Sequence, residues 1–159
     1  MELAIAADDR EKRLAQRAGI ERYEAALKAH VGSDRGDMDE INDDGLQEFI
    51  IGGAYTRVLT IPADTTIVSK LWTKERLWII LYGRVRVVHE MGEEVIEGPY
   101  VGKAPYGTKV ALYTETDTMW AAITGCPETN NIEDLESIMT TENYSQLTYA
   151  WSAIEGDAE

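Results

Sequence analysis

Residues 65–88 read TTIVSKLWTKERLWIILYGRVRVV. β-Branched and aromatic residues dominate, the apolar run 77–81 is too short for a helix, and Val85 and Val87 alternate with Arg84 and Arg86. Two strands joined at Tyr82-Gly83 account for the pattern, because Gly83 can take a positive φ without steric cost. If the first strand stays extended, Lys70, Trp72, Lys74, Arg76 and Trp78 share one face. A slip of one residue would turn the whole set outward.

The rest of the chain sets the context for this strand pair. Its 159 residues suit one domain with appendages, and 29 acidic against 15 basic residues give a net charge of −14. Such a surface repels nucleic acid, so binding to DNA or RNA backbones is not expected. Solubility is the ordinary meaning of the charge, and mimicry of DNA the sharper alternative. A single cysteine, Cys126, leaves no intrachain disulfide and points to an intracellular setting. MELAIAADDR lacks the basic start of a signal peptide, and no later run is long enough to span a bilayer. The expected location is intracellular, with no membrane partner.

Four segments follow from the punctuation. Residues 1–31 form an N-terminal helix from about position 8, capped by Asp8 or Asp9, with Ile20, Tyr23, Leu27, His30 and Val31 in one apolar stripe. Ile20, Tyr23 and Leu27 are candidate interface residues; the stripe needs the chain's own barrel, a second copy or a larger assembly to cover it. Residues 32–45 form an acidic linker. Its Glu40, Asn42, Asp44 and Gly45 imitate half a calcium loop, but Ile51 stands where the bidentate glutamate belongs.

Residues 46–125 are β-rich, with candidate strands at 47–51, 54–61, 66–73, 76–82, 84–90, 93–97, 108–113 and 118–124. Gly, Pro and Asp turns between them argue for an antiparallel sandwich or small barrel. Residues 126–159 form a helical tail. NIEDLESIM carries an asparagine cap and places Ile132, Leu135, Ile138 and Met139 on one side, and 147–154 is a second apolar stretch.

With Gly52, Gly53, Tyr55 and Arg57, the turn Ile61-Pro62-Ala63-Asp64-Thr65, the strand ending at Gly83, and Lys103, Pro105, Gly107 and Thr108 in view, the core resembles a cupin. Within that superfamily it is similar to the small cupin-like proteins encoded by bacteriophages. The resemblance covers about residues 45–125 and implies a mainly β, antiparallel jelly-roll barrel. It also implies a divalent metal held by histidines and a glutamate. Here the corresponding positions are Trp72, Lys74, Arg76 and Val110. None offers a lone pair to a cation, and the two histidines, His30 and His89, stand far apart. No metal and no cofactor is expected. No nucleophile–base pair is legible either, so an enzyme is not the expectation.

If the even face points inward, Trp72, Lys74, Arg76 and Trp78 line the interior, with Lys103, Tyr106 and Lys109 at the mouth. Aromatic faces beside cations suit an anionic small molecule such as a nucleotide. The plainer reading is that the tryptophans fill the barrel and the cations pair with Glu75 or Glu90. Two functions therefore compete: an accessory protein, homo-oligomeric or virion-bound, acting through protein contacts, and a metal-free barrel that sequesters an anion.

Overall fold

The computed structural model describes residues 2–31, 45–126, 131–141 and 144. Apart from Gly45, the expected acidic linker 32–45 lies outside the described residues, as does the apolar stretch 147–154. The elements are α1 (Glu2–Val31), β1 (Leu46–Ile51), β2 (Ala54–Ile61), β3 (Thr65–Val68), β4 (Leu71–Trp72), β5 (Arg76–Tyr82), β6 (Arg84–His89), β7 (Gly92–Glu97), β8 (Tyr100–Ala104), β9 (Ala111–Thr114), β10 (Thr118–Gly125), α2 (Ile132–Met139) and β11 (Thr140–Thr141).

The strands make two antiparallel sheets, ordered β1-β2-β10-β5-β8 and β3-β9-β6-β7, with β11 pairing β4 at one end. Their inner faces enclose one core that includes Leu59, Ile80, Val85, Val87, Leu112 and Trp120. Period-two alternation builds it: β2 buries Tyr55, Arg57, Leu59 and Ile61 and turns the residues between them away. The result is the mainly β, antiparallel jelly-roll barrel with an N-terminal helix and a short C-terminal helix.

The opening stretch differs from its reading in two ways. Gly83 does not close a hairpin, because β5 and β6 belong to different sheets and the chain crosses between them there. The crossing requires glycine: its φ is +107°, and a Cβ would sit 2.3 Å from Thr118 Oγ1 and 2.7 Å from the Asp117 carbonyl. The expected strand 66–73 is also divided into β3 and β4, and 73–75 separate β4 from β5. Two strands lie outside the expected set: β8, where Gly102 and Lys103 dilute the alternation, and the two-residue β11 within the expected helical tail.

Helix α1 lies on the outer face of the four-stranded sheet. Ile20 is 2% exposed and packs with Val68 and Ala111, flanked by Leu27 and Val88; burying such a side chain contributes about 1.5–3 kcal/mol. Ion pairs fix the helix on either side of this contact. Arg17 Nε donates to Glu90 Oε2 at 2.5 Å, Arg13 Nη2 donates to Glu90 Oε1 at 2.7 Å, and Lys109 Nζ donates to Glu24. Ile20 and Leu27, read as interface candidates, therefore pack on the chain's own sheet, while Tyr23 remains 44% exposed.

At the opposite end of the described chain, Asn131 Oδ1 accepts from Glu133 N at 3.2 Å and caps α2. Leu135 and Met139 pack on Tyr55 and Trp72, with Ile132 alongside, whereas Ile138 faces outward. No helix among the described residues is long and apolar enough to cross a membrane.

Candidate functional site

The even face of 76–80 points into the barrel, so Arg76, Trp78 and Ile80 are all buried. Trp72 joins them from β4. Three of the seven ligand candidates thus meet: Trp72, Arg76 and Trp78 line one interior cavity. The other four do not. Lys74 is exposed in the 73–75 break, Lys103 projects from β8 to pair with Glu75 at 2.7 Å, Tyr106 packs against Leu71 and Tyr144, and Lys109 is held by Glu24 beneath α1.

Leu59, Ser69, Val110 and Ala122 also line the cavity, and two larger neighbours not among the ligand candidates reach it. Arg57 reaches it from β2 and Trp120 from β10. A charged residue at an inward position of the otherwise apolar β2 alternation was the available signal for Arg57. The cavity measures about 20 Å³, enough for one water-sized occupant and far below the volume of a nucleotide. The tryptophans fill the rest: Trp78 and Trp120 meet edge to face, centroids 5.0 Å apart at 77°.

The charges inside are unusual. The Arg76 guanidinium carbon lies 4.5 Å from the Trp72 ring centroid and 5.9 Å from that of Trp78, and Arg57 lies 5.4 Å from Trp72. Arg57 Nε stands 3.6 Å from Glu48 Oε1, and Glu48 also accepts from the Tyr55 hydroxyl. Arg76 forms no ion pair with a described carboxylate within 4.0 Å, and its Nε and Nη2 are buried with no hydrogen-bond partner among the described residues. Burial, with the Arg57 charge beside it, pushes Arg76 down to about 9. Its guanidinium remains protonated at neutral pH.

The donor set does not fit the divalent metal that the cupin resemblance implies. Trp72, Arg76 and Val110 present a ring, a cation and an aliphatic chain, and among the described residues no three of His, Cys, Asp and Glu come together. His89 serves its hairpin, where Nδ1 accepts from Met91 N at 3.1 Å and Nε2 lies 3.4 Å from Glu94 Oε1.

Two surface features lie elsewhere. A groove of about 420 Å³ runs between α1 and the four-stranded sheet, with Gly19, Ile20 and Tyr23 on one side and Arg86, Val88 and Tyr113 on the other. The outer face of the five-stranded sheet is apolar. Cross-strand registers set Phe49, Thr56, Ile123, Leu77 and Lys103 in one row, and Gln47, Val58, Ala121, Ile79 and Val101 in the next. These rows contain no carboxylate, and Val101 is 65% exposed and Leu77 41%.

No family model and no curated protein matches the sequence. Among solved structures, the chain is similar to a cupin superfamily protein of Desulfitobacterium hafniense at 11% identity and TM-score 0.45, covering 55% of this chain and 84% of that one. KdgF of a Halomonas species gives 12% identity and TM-score 0.45, covering 56% and 87%. A cupin 2 conserved barrel domain protein of Salinispora arenicola gives 15% and 0.42, covering 49% and 72%. These likenesses lie on about half the chain and carry no activity to it.

Proposed function

We propose that this chain is a non-enzymatic, cupin-like accessory protein acting through protein contacts, and that it associates with itself through the outer face of its five-stranded sheet. The observation that supports this reading is the pair of carboxylate-free rows. A chain with 29 acidic residues and a net charge of −14 repels its own copies over most of its surface. On the two rows the only charge is Lys103, which already pairs with Glu75, so two copies can meet there without opposing carboxylates. A two-fold axis would lay each face on its own image, the commonest arrangement of soluble homo-oligomers.

An exposed apolar patch of this kind marks an interaction surface more often than chance exposure. The barrel interior does not offer a nucleotide pocket, since its cavity measures only about 20 Å³. The motif resemblance to bacteriophage proteins makes a virion, or its assembly, the setting in which we place this scaffold.

Sedimentation velocity over a range of concentrations tests the proposal. The full chain is expected to self-associate, and Leu77→Glu or Val101→Glu to yield monomers that keep the native circular dichroism spectrum. A full chain that stays monomeric at every concentration contradicts it. So does a Val101→Glu protein that associates as the unaltered chain does.

A further inference from the structure

A divalent cation is disfavoured inside this barrel by the same residues that make an anion welcome. We propose that the cavity between Arg57 and Arg76 holds a single monatomic anion of the halide class. This goes beyond the self-association reading and does not depend on it.

The size comes first. The cavity admits about one water-sized body, which suits a halide and excludes phosphate, sulfate and any organic acid at their full size. The charge comes next. Glu48 stands beside Arg57 at 3.6 Å, whereas Arg76, only 6% exposed, has no carboxylate within 4.0 Å and two nitrogens without partners among the described residues. A buried donor left unmade is costly, and a buried unpaired charge more so. Water could accept one of these hydrogen bonds but would leave the charge uncompensated. A halide accepts several N–H donors at once and neutralises the charge.

The walls fit that occupant. Trp72, Trp78, Trp120, Leu59 and Val110 exclude bulk water and keep the local dielectric low, where attraction between an anion and a guanidinium is strongest. Ser69 stands at the same cavity, but its hydroxyl donates to the Lys70 carbonyl at 2.8 Å and accepts from Val110 N at 3.0 Å. The hydroxyl proton is therefore committed, and Arg76 supplies the unpartnered donors. Burial, and then the Arg57 charge, lower the proton affinity of Arg76, and an anion beside it would offset both.

The test is anomalous diffraction from crystals of the full chain soaked in sodium bromide. Thermal melts of the full chain and of Arg76→Met accompany it, in chloride, bromide and gluconate at matched ionic strength. Expected are a bromide peak beside Arg76 Nε or Nη2 and a melting temperature that climbs with halide concentration, as the folded state gains RT ln(1 + [L]/Kd) in stability. In Arg76→Met the apparent Kd should rise about tenfold to a hundredfold, as follows from losing hydrogen bonds to a charged group. If Arg76→Met does not fold, the bromide peak alone decides. A cavity without a bromide peak in soaked crystals overturns the proposal. So does a halide response that Arg76→Met shares in full.

Discussion

The Arg76 guanidinium rests 4.5 Å from the ring centroid of Trp72, inside the barrel and beneath helix α2. Trp72 is held there by three supports: β4 pairs it with Thr140, its backbone N–H donates to the Thr108 carbonyl at 3.2 Å, and Leu135 and Met139 cover its far side. The contact therefore occupies with an aromatic ring and a fixed positive charge the space where a cupin resemblance implies metal ligands.

Arg76 gives a pH dependence whose sign can be worked out. Its folded-state value of about 9 lies well below the ordinary value of a guanidinium. Below about 9 both folded and unfolded chains carry the charge, and the cost of burying it is fully present. From about 9 up towards the ordinary guanidinium range the unfolded chain binds the proton more readily, so this group makes stability rise with pH. Arg76→Met, which removes the buried charge, should equal or exceed the unaltered chain in stability at pH 7 without halide. That advantage should shrink as pH climbs past 9, and chemical denaturation at several pH values checks both statements.

Trp120 carries much of the barrel's packing, since it is 2% exposed and meets Trp78 edge to face. Trp120→Ala should cost about 3–5 kcal/mol, the usual range for truncating a buried aromatic. Urea unfolding followed by far-ultraviolet circular dichroism measures it. A loss under about 1 kcal/mol would mean that the ring does not pack as described.

Glu90 anchors α1 through Arg13 and Arg17, and the Arg17–Glu90 pair is almost wholly buried. Glu90→Gln breaks the buried Arg17–Glu90 ion pair, a break that costs about 3–5 kcal/mol in buried pairs. The expected outcome is local: faster amide exchange along residues 13–27, with β2, β5 and β10 still protected. Equal loss of protection in the barrel strands would show instead that helix and barrel fold as one cooperative unit.

Gly83→Ala should be among the most damaging single-methyl additions in this chain. The new Cβ meets Thr118 Oγ1 and the Asp117 carbonyl, and φ is +107°. Strain of this kind costs about 1–3 kcal/mol before the clash is counted. A melting temperature within about 2 °C of the unaltered protein would contradict the crossing geometry.

Much of the fold was legible because alternation and turn residues are local signals. The strands at β1, β2, β5, β6, β7 and β10 lie within two residues of their expected bounds, and α2 begins next to its asparagine cap. What was not legible depends on neighbours. Gly83 looks the same in a hairpin and in a crossing between sheets, and only the pairing of β5 with β10 and β8 distinguishes them. Trp72, Arg76 and Trp78 follow from period two once the inward face is chosen. Lys74 was lost because the strand breaks at 73–75. Lys109 was lost because its partner, Glu24, lies 85 residues away on α1. The carboxylate-free face was hidden for a similar reason: its rows take one residue from each of five strands, in an order that no single segment displays.

Contact between copies is the central claim, and methyl groups on the two rows report it most directly. In a sample mixing isotope-labelled and unlabelled full chains, filtered nuclear Overhauser spectra detect only contacts between molecules. The account predicts cross-peaks between the methyls of Leu77, Ile79, Val101 and Ile123 and protons of the second copy, including the Phe49 ring. Silence at these methyls in a sample that sediments as a dimer, with cross-peaks at Tyr23 or elsewhere along α1 instead, would contradict it.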